Sequence, residues 1–509
     1  MTSPATASDV RSGKLDSGVL KVAGVVVLGA IMSILDVTVV SVALPTFQRE
    51  FHATYATVAW TMTAYTLALA TVIPISGWAA DRFGTKRLYL MSIVLFVAGS
   101  ALCSMAPSIG ALITFRTLQG LGGGMLMPVG MTIMTRAAGP DRVGRVMAVL
   151  GVPMLLGPIG GPILGGWLIQ AANWHWIFLI NVPVGAVAFL FSFRVLPKDQ
   201  PRRSEAFDFV GMLLLSPGLA LFLYGVSSVP SAGTVAAAKV LIPAIIGLVL
   251  VIGFVVHALR KAHPLIDLRL FQNRNMTVAV ITMTLFVIAF MGSMLLFPSY
   301  FLQVRNQTTL NAGLLLAPQG LGAMLTMPIG GRLTDRMGPG KLVLGGIVLI
   351  AIGMGVFTQV AADSSYGLLL SALFVLGMGM GLTMMPIMSA ALATLTDHQI
   401  ARGSTMMNIV QQTAGSIGTA VMSVILTNQV LASPTASVYS AVTQGAVPAS
   451  RVPAGLLEQG RFSLAHAFGH TYVVGLVLIA LCLVPAFFLP RKKIQAPVQG
   501  EVAVPTPIH

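Results

Sequence analysis

The sequence predicts an all-α integral membrane protein built from two six-helix bundles related by pseudo-symmetry, with two further helices inserted between them. Three observations predict this. Hydrophobic residues make up 56% of the chain and charged residues only 9%, and the mean hydropathy is +0.87. A chain this apolar belongs in lipid and leaves no aqueous domain to house an enzyme. Apolar runs of about 20 residues, the length that crosses a bilayer, recur fourteen times. Finally, a motif that closes the second run returns at the end of the tenth.

The runs lie near 20–44, 58–79, 88–106, 109–135, 143–169, 175–196, 209–229, 237–259, 276–300, 312–333, 341–361, 366–394, 404–431 and 469–490. An even number of crossings puts both tails on one side, and the basic residues indicate which. Of the 30 Lys and Arg, twenty-four fall in the tails and in the loops after even-numbered runs, five lie on the opposite side, and Arg116 sits inside a run. Positive charge marks the cytoplasmic face, so both tails are expected there. The net charge of +15 therefore reports topology and does not point to nucleic acid. The expected organisation is a cytoplasmic tail (1–19), an N-terminal bundle (20–207), an inserted helix pair (208–260, runs seven and eight), a C-terminal bundle (261–490) and a second cytoplasmic tail (491–509). The first tail has no cleavable pattern, so the first run is expected to stay in place. Cys103 and Cys482 both fall inside apolar runs and read as small fillers, not as a disulfide framework.

The repeat is visible within the chain itself. Pro74-Ile75-Ser76-Gly77-Trp78-Ala79-Ala80-Asp81-Arg82-Phe83-Gly84 closes run two, and Pro328-Ile329-Gly330-Gly331-Arg332-Leu333-Thr334-Asp335-Arg336-Met337-Gly338 closes run ten. Two six-helix halves separated by an inserted pair account for the offset. Parallel repeats of this kind build many secondary transporters, whose ligand sites lie near the midplane between halves.

The first run carries an anomaly. Counted from Leu20, Asp36 lies roughly 24 Å along a helix rising about 1.5 Å per residue, inside the hydrocarbon layer. A charged Asp there costs about 2.5 kcal/mol or more, so such a residue faces a bundle interior or a wet cavity and binds an ion, a proton or a ligand. The other fourteen acids lie in tails, loops or helix ends; Asp36 alone is deep. Desolvation favours the protonated carboxyl, whereas a bound cation favours the ionised form. One site that holds either makes an exchanger. Arg116 is the matching buried cation, roughly 10 Å below the outer surface against about 13 Å for Asp36, so the two could face each other. A static structural pair would also satisfy both residues.

Here the residues carry a resemblance. The loop with Gly77, Asp81, Arg82, Gly84, Lys86 and Arg87, the Leu35-Asp36-Val37-Thr38 pattern running to Ala43-Leu44-Pro45, and Gly161-Pro162-Ile163-Leu164-Gly165-Gly166 in run five resemble the major facilitator superfamily. Fourteen runs, Arg116-Thr117-Leu118-Gln119-Gly120 and Trp174-His175-Trp176-Ile177-Phe178-Leu179-Ile180-Asn181-Val182-Pro183 resemble its EmrB/QacA-type drug:proton antiporter branch. The resemblance implies proton coupling at Asp36 with Arg116 in proton transfer. It also implies conformational latches at Gly77, Asp81, Arg82, Gly84 and Arg87 and at Gly331, Asp335, Arg336 and Gly338. Gly157, Pro158, Gly161, Pro162, Gly165 and Gly166 would form the antiporter motif that closes the cavity against leak. That motif usually opens with a glycine where this chain has Ala148.

The expected cavity lining is Trp60, Thr61, Tyr65, Gln119, Gln319, Asn408, Gln411 and Gln412. With 28 methionines in the chain to add adaptable surface, such walls suit varied lipophilic ligands better than a sugar, which demands dense hydrogen bonding. The expected partners are lipophilic small molecules, protons and membrane lipid. The outer loop from about 432 to 468 resembles that of members that work with a periplasmic adaptor. No cofactor and no metal are expected, only the proton gradient. The function expected is a multidrug efflux antiporter in a bacterial-type inner membrane. A proton-coupled transporter of one specific metabolite and a non-transporting membrane sensor or scaffold remain the alternatives. Residues 312–333 contain no acid to match a second positive charge. Monocationic dyes should therefore leave cells faster than matched dications; equal efflux of the two in whole-cell assays would refute this.

Overall fold

The computed structural model describes residues 16–139, 142–199, 207–443 and 447–492, and they are almost wholly helical. Each of the fourteen apolar runs lies on a helix. The N-terminal half comprises α1 (Ser17–Glu50), α2 (Tyr55–Phe83), α3 (Thr85–Ser104), α4 (Ile109–Ala138), α5 (Val143–Ala171) and α6 (Trp176–Leu179 followed by Asn181–Val195). The inserted pair is α7 (Phe209–Ser227) and α8 (Ala238–Arg260). The C-terminal half comprises α9 (Arg274–Met294 and Leu296–Gln303), α10 (Thr309–Leu315 and Ala317–Met337), α11 (Pro339–Phe357), α12 (Tyr366–Leu392), α13 (Asp397–Ala432) and α14 (Ala454–Leu481 and Leu483–Ala486). By length and composition, 12 helices among the described residues suffice to cross a membrane. That set omits α4 and α5, of 30 and 29 residues. The chain is thus a multi-pass integral membrane protein.

Local chemistry sets the helix starts. Asp16, Thr54, Ser108, Asn273 and Thr308 each cap the helix that follows by accepting a backbone N–H. Thr396 and Gln399 form a reciprocal capping box that starts α13 at Asp397, earlier than the apolar run near 404. The expected long outer loop is corrected more strongly. Pro434–Thr443 is helical and α14 begins at Ala454. Glu458, Arg461 and His466 lower the hydropathy of this stretch without stopping a helix, and Leu457, Phe462 and Leu464 give it an apolar face that packs on the core.

The two copies of the repeat fold alike. Gly84 and Gly338 end α2 and α10 with φ of 91° and 83°, a backbone that a side chain would strain. After each turn, the last helix of the same half holds the next helix. The Asp199 carboxylate, beyond α6, accepts the N–H groups of Lys86 and Arg87 at 2.8 and 2.9 Å. The Pro490 carbonyl, beyond α14, accepts that of Gly340 at 2.8 Å.

The inserted pair lies against both halves. Trp60 stacks on Tyr224 at 5.5 Å and Trp78 meets Phe207 at 4.4 Å, tying α7 and its approach to α2. Val229 and Val240 pack with Ala420 of α13. At the start of α7, buried Asp208 caps the helix through Gly211 N–H at 3.0 Å and accepts from His257, Lys261 and Leu265 N–H at 2.8, 2.9 and 3.1 Å. Burial alone would raise the Asp208 pKa, but the donors together, Gly211 N–H first, pull it from 3.8 down to about 2. A depressed carboxyl stabilises the fold above its ordinary value and loses that contribution as pH falls through the folded one. Asp208→Asn should therefore melt several degrees below the parent protein near neutral pH in detergent. That gap should close as pH falls from about 4 toward about 2; a gap independent of pH would contradict the ionic account.

Candidate functional site: a buried charge pair in the N-terminal bundle

Five helices converge on Asp36. Their faces follow from helical spacing: Arg116 and Gln119, three residues apart on α4, share one face, while Thr61 and Tyr65, four apart on α2, share another. On α1, Ile34 and Thr38 point to α5, where a Cβ on Gly157 or Gly161 would collide with them. Asp36, two residues from each, points the opposite way, into the half-bundle.

The pair is sealed. Asp36 is 2% exposed and Arg116 0%. Arg116 Nη1 donates to Asp36 Oδ2 at 2.5 Å and to Gln119 Oε1 at 2.7 Å, and Arg116 Nε donates to the Thr61 carbonyl at 3.1 Å. The other carboxylate oxygen, Oδ1, accepts from Gln119 Nε2 at 2.8 Å and from Asn181 Nδ2 at 3.3 Å. Asn181 also donates to Ser100 Oγ at 3.0 Å, and Ser100 donates to the Phe178 carbonyl at 2.9 Å. The Arg116 guanidinium lies over the Tyr65 ring, 4.2 Å from its centroid, and the Tyr65 hydroxyl meets Ser33 Oγ at 3.2 Å. Arg116 Nη2 has no protein acceptor among the described residues. Both charges are thus removed from water, a cost of several kcal/mol per ion that only close pairing and filled hydrogen bonds can offset.

Three residues expected to line a cavity belong to this network. Thr61, Tyr65 and Gln119 are buried at 0%, 1% and 0% exposure and serve the ion pair. Trp60 instead faces α7, and Gln319 on α10 is buried with its backbone close under Gly377 of α12. Asn408 on α13 donates to Met131 Sδ of α4 at 3.2 Å and to the Ser404 carbonyl at 2.8 Å, so it stands where the halves meet. Gln411 and Gln412 follow it, half-buried. The sequence gives Asn181 no role beyond its place in the Trp174–Pro183 motif and does not single out Ser100, although an amide in an apolar run is the signal, milder than an acid, that points to Asn181.

The latch residues divide. Asp81 pairs with Arg136 of α4 at 3.0 Å, within its own half. Asp335 crosses between halves, accepting the Gly144 N–H that opens α5 at 2.9 Å and lying 3.2 Å from Arg145 Nε. The repeated glycines both sit at inter-half crossings. A Cβ on Gly77 would lie 2.9 Å from Thr405 Oγ1, beside a 3.1 Å contact between Ser76 and Thr405 hydroxyls. A Cβ on Gly331 would lie 2.8 Å from that of Ala148, so the methyl that replaces the motif's usual glycine rests on a glycine opposite. Arg82, Arg87 and Arg336 lie at the same helix ends. Gly165 packs on Val39 of α1, while a Cβ on Gly166 would meet open space. The side chains of Pro158 and Pro162 lie outside the described residues.

Apolar helices in two packed halves, with one carboxylate and one guanidinium sunk in the first, have the build of a secondary transporter. The chain belongs to the Major Facilitator Superfamily, whose model matches residues 26–419. It is 53% identical to the "Multidrug resistance protein B homolog" of Mycobacterium tuberculosis over 94% of this chain and 92% of that one. It is 33% identical to the "Multidrug export protein EmrB" of Haemophilus influenzae over 77% of each. Among solved structures, the human organic anion transporter MFSD10 shares the fold, with a TM-score of 0.61 at 17% identity over 91% of this chain and 100% of that one.

If the pair holds the bundle together, Arg116→Met, which strands Asp36, should cost about 3–5 kcal/mol of stability. The double variant Asp36→Asn/Arg116→Met should recover most of that loss. Unfolding in detergent decides it: a double variant no more stable than the single one would show that the pair contributes packing and not charge balance.

Proposed function

We propose that this chain is a proton-coupled antiporter that expels lipophilic neutral or monocationic compounds across a bacterial inner membrane by alternating access. It would cross fourteen times, with both tails in the cytoplasm, and it is not an enzyme. The observation that carries the proposal is the Asp36–Arg116 pair, sealed from solvent inside the first half. The names of the relatives support the class of cargo.

The chemistry runs through charge balance. With Asp36 ionised, the pair is neutral as a unit. A proton on Asp36 removes the charge that Arg116 needs, and an uncompensated guanidinium in low dielectric is costly. The bundle must then rearrange until Arg116 finds another acceptor or water, which ties proton occupancy to helix position. Substrate that favours the ionised arrangement drives the proton off, and the gradient does the rest.

Contacts between halves cluster at the ends of helices that carry the basic loops. Opening inward would break the Ser76–Thr405 and Asp335–Gly144 hydrogen bonds and part the Gly77 and Gly331 crossings. These loops act as latches in this scheme, with the pair Asp335 and Gly144 working across the halves. The helix Pro434–Thr443 and the start of α14 form the surface that a periplasmic adaptor would meet.

Asp36→Asn should abolish substrate-induced proton release from the purified protein and gradient-driven efflux from cells, and Asp36→Glu should retain part of both. Undiminished release from the Asn variant would sink the coupling role.

A further inference from the structure

The Asp36 carboxylate has an uneven environment. One oxygen receives the charged donor, Arg116 Nη1. The other receives two neutral amides, Gln119 and Asn181. Gln119 is committed on both sides, because its Oε1 accepts from Arg116 while its Nε2 donates to Asp36. Asn181 is not bound to the arginine; its amide nitrogen spans Asp36 and Ser100.

We propose that Asn181 is a positioning residue for the coupling acid: an amide that holds Oδ1 in the ionised state and can turn its carbonyl to accept the proton once Oδ1 carries one. The proposal rests on Asp36 being the coupling acid. A proton on Oδ2 would confront Arg116 Nη1, donor against donor, so Oδ1 is the oxygen that can hold it without expelling the arginine at once. Gln119 cannot turn to receive that proton without losing its bond to Arg116. Asn181 gives up only the bond to Ser100, whose hydroxyl stays satisfied by the Phe178 carbonyl.

Its place in the fold suits this. Asn181 is 6% exposed and begins the second segment of α6, directly after the interruption at Ile180. Pro183 has no N–H to return to the Leu179 carbonyl, which keeps the helix open there. A change at the carboxylate is thereby felt on α6 and α3, two helices that do not carry the ion pair. The charged and titratable groups facing Asp36 are Arg116 of α4, Tyr65 of α2 and Cys103 of α3, and α6 contributes only the neutral amide.

The test is the pH profile of substrate-induced proton release from purified, detergent-solubilised protein. Asn181→Leu keeps the volume and removes the donor. Losing a hydrogen bond to a charged group should move the midpoint of the profile to higher pH by about one unit, a tenfold change. Ser100→Ala frees the amide without removing it and should move the midpoint the same way by less; it also serves if the leucine variant fails to fold. Asn181→Asp, which sets a second acid against Oδ1, should move the midpoint furthest. A profile unchanged in both Asn181→Leu and Ser100→Ala, with Asp36→Asn silent, overturns the role of Asn181 alone. Release that persists in Asp36→Asn overturns the reading of Asp36 itself.

Discussion

A single ion pair, placed where no water can reach it, constrains the whole N-terminal half. Asp36 and Arg116 come from helices separated by two others in sequence, and neither could be buried without its partner. The other groups in their surroundings are arranged to serve them: Gln119 bridges the two, Thr61 lends its backbone carbonyl, Tyr65 a ring face, and Asn181 an amide from the far side. The glycines of α5 press on α1 from the opposite side and so turn Asp36 inward. The same network that satisfies the charges makes the bundle sensitive to their removal, which is the property an exchanger needs.

The repeated loop has one design and two uses. Its glycines stand at equivalent crossings, Gly77 on α13 and Gly331 on α5, and its terminal glycines take the same left-handed turn. Its aspartates diverge: Asp81 is held by an arginine of its own half, and Asp335 reaches the first turn of a helix in the other, where the backbone N–H and the helix dipole both favour a carboxylate. The two seams between the halves are therefore closed by the same small-residue packing but are not equally charged.

The inserted pair bears on this asymmetry. It is pinned to α2 by two aromatic contacts at opposite ends and to α13 by a patch of small apolar residues. It thus covers the seam that lacks the bridging aspartate. The end of the pair at Asp208 is fixed by that one buried carboxylate, which ties both helices and the strap leading to the second half.

Much of this was legible in the sequence because membrane folding obeys few rules. Apolar length showed where the helices lie, basic loops suggested their direction, and the duplicated motif suggested the two halves. A carboxylate in hydrocarbon announced itself by its cost, and depth alone brought Arg116 beside it. Hydropathy misjudged 454–468, where charge lowers the score but leaves an amphipathic helix intact. What one dimension could not supply was direction around each helix axis. Whether Thr61, Tyr65 and Gln119 face a cavity or the ion pair, and whether Asn181 reaches Asp36 at all, depends on rotations set by close packing of glycines on a neighbouring helix. Those rotations exist only once the helices have met.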